Sequence, residues 1–139
     1  MNNDIQEPYC SLEVCKLLKE KGFNVFCNSF YTEEGDVNLA IDEYNILLIM
    51  NWQLKKEECS FVSQALAIEW IRVNFDLHIH TYPTGMGYYC YEVFSIKRRE
   101  NPKDKIVQKE TTSIQWDELY NTPQEATEAA LLYTLKNLI

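Results

Sequence analysis

The sequence predicts an α+β fold, with three main helices packed on one face of a mostly antiparallel sheet in the order α-β-β-(β)-α-β-β-β-α. Three observations lead there. Residues 63–83 read as an almost wholly apolar helix running directly into a strand of alternating residues. Residues 88–96, Tyr-Tyr-Cys-Tyr-Glu-Val-Phe-Ser-Ile, are of the aromatic and β-branched type that strands favour, and turn chemistry at 83–87 joins them to that first strand. Residues 122–139 then start a new helix on a capping sequence that contains proline.

Taken in order, residues 1–9 are polar and expected to be disordered. The first helix begins after Cys10 or Ser11, because Leu12, Val14, Cys15, Leu17 and Leu18 recur at helical spacing. Glu13 lies in its first turn and Lys16, Lys19 and Lys21 lie toward its end, which suits the helix dipole. Gly22 is placed to take the left-handed position that stops it, with Phe23 folding back on the last turn. Val25 to Tyr31 reads as an edge strand, Glu33 to Asp36 as a turn, and Val37, Leu39 and Ile41, alternating with polar neighbours, as a second strand. Ile46 to Trp52 reads as a buried strand, broken by the charged loop that follows.

On a helical wheel from Gln64 to Asp76, Leu66, Ala67, Ile68, Trp70, Ile71, Val73 and Phe75 occupy most of the circumference. Glu69, Arg72 and Asp76 collapse onto one stripe, so the helix is expected to be buried on more than one side, capped by Ser63 or Ser60. Leu77, Ile79 and Thr81 then alternate with His78, His80 and Tyr82. Residues 97–105 form a charged connection, and a third strand returns from Ile106 to Glu110, extending through Ile114 and Trp116. Thr122 to Glu125 is a capping box with Pro123 at its first helical position. Ala126, Ala129, Ala130 and Tyr133 form the apolar stripe of that helix, widened by Leu131, Leu132, Leu135 and Leu138. No repeat, low-complexity tract or linker interrupts the chain, so a single domain over 1–139 is expected, with 61–139 as one α-β-β-β-α unit.

Three of these segments also resemble known sequences: Ser11 to Phe23, Ser63 to Arg72 and Glu125 to Ile139. Together they look like a family of short, uncharacterised proteins encoded by phages and integrated elements of Bacteroides-type bacteria. The resemblance implies a mobile-element origin and a cytoplasmic setting, and it carries no activity or catalytic motif with it.

The composition narrows the function. Hydrophobic residues make up 46% of the 139, enough for a real core. The net charge of −8 works against non-specific nucleic-acid or membrane binding, and the acid is concentrated in residues 1–60, with 11 acidic and 5 basic side chains. The five cysteines are odd in number and form no C-x-x-C pair, so they read as reduced thiols acting as small core hydrophobes, in keeping with a cytoplasmic location. The start of the chain has no signal-peptide pattern, and the longest apolar run, Ile46 to Met50, is too short to span a bilayer.

No phosphate loop, dinucleotide fingerprint or nucleophile elbow occurs, so no catalytic residue, cofactor-binding residue or cofactor is assigned. His78 and His80 share a strand face and are the candidate metal ligands, with Cys90 and Glu92 as further ligands if the strand register brings them to that face. The basic residues Lys97, Arg98, Arg99, Lys103 and Lys105 are the candidate nucleic-acid contacts, since helix, three strands, helix is the order of double-stranded-RNA-binding modules. The net charge and the acidic start of the last helix, with Glu125 and Glu128, oppose that role. Tyr82, Tyr89 and Tyr91 are the candidate contact surface for a protein partner or a second copy of the chain, since aromatic residues dominate interface energetics. The expected role is protein association without enzymatic activity.

Overall fold

The computed structural model describes residues 6–98, 107–114 and 119–139. The elements run α1 (Leu12–Glu20), β1 (Ser29–Tyr31), β2 (Val37–Leu39), a 3-10 turn (Asn51–Gln53), β3 (Cys59–Ser60), α2 (Gln64–Phe75), β4 (Leu77–Pro83), β5 (Tyr89–Arg98), β6 (Val107–Ile114) and α3 (Pro123–Asn137). The α+β class holds, but two antiparallel sheets replace the expected single one: β2-β1-β3 and β4-β5-β6. The reason is local. β1 finds both of its neighbours within the first part of the chain, while β4, β5 and β6 pair in sequence order with one another. The chain divides into two compact units, Met1–Ala67 and Ile68–Ile139, with the boundary inside α2. No helix among the described residues is long and apolar enough to cross a membrane.

In the first unit, Ser11 caps α1, its hydroxyl accepting from the Val14 N–H at 3.3 Å. The helix ends in a complete Schellman motif. Gly22 adopts φ +92°, the Gly22 N–H donates to Lys19 O at 3.1 Å, and the Phe23 N–H donates to Leu18 O at 2.9 Å. Phe23 turns under the helix and is 1% exposed, beside the buried Val14, Cys15 and Leu18. α1 packs against β3, and Lys19 Nζ reaches the Lys55 and Glu58 carbonyls at 2.7 and 2.6 Å, fastening the loop that leads into β3.

The chain start is held from Pro8 onward, short of the disorder expected through residue 9. Pro8 O accepts from the Gln64 N–H, the Cys10 N–H donates to Val62 O, and the Tyr9 ring stacks on Phe61 at 4.1 Å. Residues 1–5 lie outside the described set. β1 is the middle strand of its sheet, not an edge, because both sides of it are paired. The turn at 33–36 forms as expected, with Gly35 at φ +88° and the Thr32 N–H bonded to Asp36 O. Ile46 to Trp52 is not a buried strand. It makes only isolated bridges, Ile41 to Ile46 and Cys27 to Ile49, and then enters the 3-10 turn.

α2 is capped by the Ser63 hydroxyl, which accepts from the Leu66 N–H at 3.2 Å. Its deeply buried residues are Gln64, Ala67 and Ile71, a single stripe at helical spacing. Trp70 is half-buried and meets the Phe75 ring edge-on. Burial on more than one side is therefore incorrect: Val73 is 65% exposed and Phe75 37%. Asp76 ends the helix at φ +53°, a left-handed conformation that its short polar side chain tolerates.

In the second unit, β4 and β5 form the expected hairpin. The Thr84 N–H donates to Tyr88 O, Thr84 Oγ1 accepts from the Tyr88 N–H, and Gly87 supplies the positive φ the turn requires. Directly opposed residues share a face. The register therefore sets Leu77, Tyr91 and Val93 on one side and His78, His80, Tyr82, Cys90, Glu92 and Phe94 on the other. The first set is buried, and α3 packs across β4 and β5. Tyr120, just before α3, bridges to Tyr89 through two backbone hydrogen bonds of 2.8 and 2.9 Å. Thr122 caps α3 by accepting from the Glu125 N–H, and the Glu125 carboxylate reaches back to the Asn121 N–H, one residue earlier than in a standard capping box. The buried face of α3 is Ala126, Thr127, Ala130, Leu131, Thr134 and Leu135. Thr134 enters that face because its hydroxyl donates to Ala130 O at 2.7 Å, which satisfies it within the helix.

Candidate functional site

Among the described residues, those singled out in the second unit do not assemble into a site. The register brings Glu92 opposite His80 and Cys90 opposite Tyr82, so all four share a face with His78. The His78 ring is stacked on Phe94 at 5.3 Å, however, and its Nε2 lies 3.5 Å from Asp76 Oδ1. His80 tilts against Tyr82 instead. Among the described residues, no group of three or more His, Cys, Asp or Glu side chains is arranged to hold a metal ion. A hydrogen bond with the Cys90 thiol, followed by burial, pushes the Tyr82 hydroxyl up to about 12.

Of the basic candidates, Lys97 and Arg98 close β5, opposite Gln108 and Val107, and so belong to a strand instead of a loop. Arg99, Lys103 and Lys105 lie outside the described residues, as does Trp116. The three tyrosines do not form one surface. Tyr91 is 1% exposed and belongs to the core beneath α3, Tyr89 is half-buried on that same face, and Tyr82 is on the opposite face. α3 packs across β4 and β5, and Tyr91 and Val93 lie on the buried face.

The cysteines are core residues. All five are free and buried. Burial, and secondarily the neighbouring Cys15, raises the Cys59 thiol to about 12, against a smaller opposing pull from Lys19 and Lys16. Burial raises Cys27 as well, then Cys15, with the Ser60 hydroxyl acting weakly in the other direction. A nucleophile needs the opposite shift. The sign for stability follows from linkage. A thiol whose folded value lies above its unfolded value of 9.0 contributes stability that is complete below pH 9 and is lost as pH rises toward 12. The stability difference between the native chain and Cys59→Ala is therefore expected to shrink by about 1.4 kcal/mol per pH unit above pH 9. Urea unfolding of both proteins from pH 8 to 11 measures it, and a constant difference would contradict it.

A charged cavity of about 340 Å³ lies beside α1, lined by Lys16, Lys19, Glu20, Glu33, Lys56 and Glu58 among others. Its charges are mixed, and the Lys19 ammonium is already bonded to two carbonyls.

What remains is an apolar surface on the first unit. Val37 and Leu39 alternate along β2, and Ile41 sits opposite Ile46 in an antiparallel bridge, so the pair shares a face. Val37, Leu39, Ile41, Ile46 and Leu48 are each 44–65% exposed, and Tyr44 at the tip of that loop is 90% exposed. Phe26, 54% exposed, and Leu48 also line a shallow depression of about 230 Å³, whose walls include Tyr9, Phe61 and Leu66, with Glu7 on its lining. The Tyr9–Phe61 stack, near-parallel at 6°, gives the depression a flat aromatic wall. Isolated exposed apolar side chains are ordinary, but a run of this length beside a depression with an aromatic wall is a candidate docking surface.

No known protein family, curated protein or solved structure matches this chain.

Sequence reasoning missed this surface because an apolar run reads as interior. One signal for it was present. From Gly22 to Leu54 the chain has no lysine, arginine or histidine, while Glu33, Glu34, Asp36, Asp42 and Glu43 fall among its apolar residues. Carboxylates set between apolar side chains belong at a surface.

Proposed function

We propose that this protein acts by binding another protein through the Val37–Leu48 surface and the adjoining depression, as a cytoplasmic accessory protein of the mobile-element type that its helices resemble. The observation that carries this reading is the continuous exposure of Val37, Leu39, Ile41, Ile46 and Leu48, which no element among the described residues covers. Two further features support it. The thiols are buried, with Cys27 and Cys59 shifted away from reactivity, and in the charged cavity beside α1 Lys19 is engaged by two carbonyls. Exposed apolar area of this kind is a stability and solubility liability unless a partner buries it.

The test is site-specific photo-crosslinking in the cells that make the protein. A crosslinking side chain at Tyr44 or Leu48 is expected to give a discrete protein adduct, which Ile46→Asp removes. The same side chain at Val73, exposed on α2, is expected to give none. No adduct at either loop position, or an identical pattern from Val73, would end this reading.

A further inference from the structure

We infer that the occupant of this surface is a protein segment that is apolar in its middle and rich in lysine or arginine at its ends, and that it is not a second copy of this chain. The inference rests on the docking role proposed above and adds the chemistry of the partner.

Charge carries it. The apolar stripe is bordered by Asp36 next to Val37, by Asp42 and Glu43 in the turn between Ile41 and Tyr44, and by Glu7 on the depression. All four carboxylates are exposed. None of the four forms an ion pair with a described residue. Three cations of the same unit, Lys16, Lys19 and Lys56, line the charged cavity with Glu20, Glu33 and Glu58 instead. The docking surface is thus apolar at its centre and uniformly negative at its edge.

Interfaces match opposite potentials, and like charges brought together at a rim oppose association. A symmetric dimer through this face would set each acidic border against its own copy, because a two-fold interface pairs a patch with itself. A nucleic-acid backbone or an anionic membrane surface meets the same repulsion. A basic-ended apolar segment meets attraction at the border and burial at the centre. β2 is also the outer strand of its sheet, so an occupant in extended form can continue the sheet along Val37–Leu39 while its side chains cover the stripe.

The experiment uses the full chain and two labelled probe peptides, each with an alternating valine–threonine centre, one flanked by lysines and the other by glutamates. Fluorescence anisotropy is expected to show the lysine-flanked peptide binding at least about tenfold more tightly at low salt, with the advantage collapsing toward 0.5 M NaCl as charges are screened. The variant carrying Asp36→Asn, Asp42→Asn and Glu43→Gln is expected to lose that preference while keeping the native circular dichroism. Sedimentation velocity of the protein alone is expected to give a monomer at low salt. Equal binding of the two peptides, a preference retained by the variant, failure of both peptides to bind, or a dimer at low salt that the charge-neutral variant does not strengthen would each overturn the inference. The broader docking role falls on a different result, the absence of crosslinks from Tyr44 and Leu48, so the two failures are told apart.

Discussion

Asn51→Ala is expected to destabilise the protein by about 2–4 kcal/mol, although the residue belongs only to a three-residue turn. Asn51 is 4% exposed. Its Nδ2 donates to Phe23 O at 2.8 Å and its Oδ1 accepts from the Ser60 N–H at 2.8 Å. One side chain therefore joins the exit of α1 to β3 by satisfying a buried carbonyl and a buried N–H. Alanine leaves both without a partner, and each orphaned group costs about 1–3 kcal/mol. Urea unfolding measures the change. Trp52→Ala, the next residue and 72% exposed, is the control, expected within about 0.5 kcal/mol of the native chain. Asn51→Asp separates hydrogen bonding from packing. The carboxylate keeps the acceptor for Ser60, loses the donor to Phe23 and buries a charge, so the variant is expected to be unstable near neutrality and to recover as acid protonates it. An alanine variant as stable as the control would remove this account of the first unit.

Tyr91→Ala is expected to cost about 3–5 kcal/mol, the usual range for deleting a large buried aromatic ring. Tyr91 is among the largest fully buried side chains, on the same face as Leu77 and Val93, and its ring lies 6.3 Å from that of Tyr120. Tyr82→Ala, on the other face of the same hairpin, is expected to cost much less, since Tyr82 is only half-buried. The pair discriminates between two roles for the aromatic residues. Were Tyr91 a contact residue, its replacement would weaken binding and leave the unfolding midpoint in place; a core residue shifts the midpoint whether or not a partner is present.

Several features of the fold are legible because they depend on bonds between residues a few positions apart. The stop of α1 at Gly22 and Phe23 follows from one glycine and one apolar residue placed where a helix needs a left-handed turn and a fold-back contact. The start of α3 follows from Thr122 and Pro123, which satisfy or remove free N–H groups of the first turn, and from Glu125, whose carboxylate holds the Asn121 N–H just before it. The β4–β5 hairpin follows from Thr84 and Gly87. The assignment of opposite faces along β4 and β5 also follows, since alternation is a property of the extended chain itself.

Which of those faces is buried does not follow. Tyr89, Tyr91 and Val93 alternate with Tyr88, Cys90 and Phe94 whichever side α3 takes, and both sets are apolar enough to be covered. The same limit explains Val73 and Phe75: a helical wheel counts apolar positions, but exposure depends on whether another element arrives. The 37–48 stripe is the clearest instance. Ile46, Leu47 and Leu48 have the composition of an interior strand, and the fold leaves all three exposed.

By itself the local chemistry determined the α+β class, the three helices, the ends of α1 and the start of α3, and the β4–β5 hairpin, because each is set by hydrogen bonds and dihedral preferences within a few residues. Tertiary structure alone decided that there are two sheets, that Asn51 joins α1 to β3, that Tyr91 is core and that the 37–48 stripe is left uncovered. Those outcomes depend on which distant segments meet, and hydrophobicity is non-directional: it drives an apolar side chain toward cover without specifying which element supplies it.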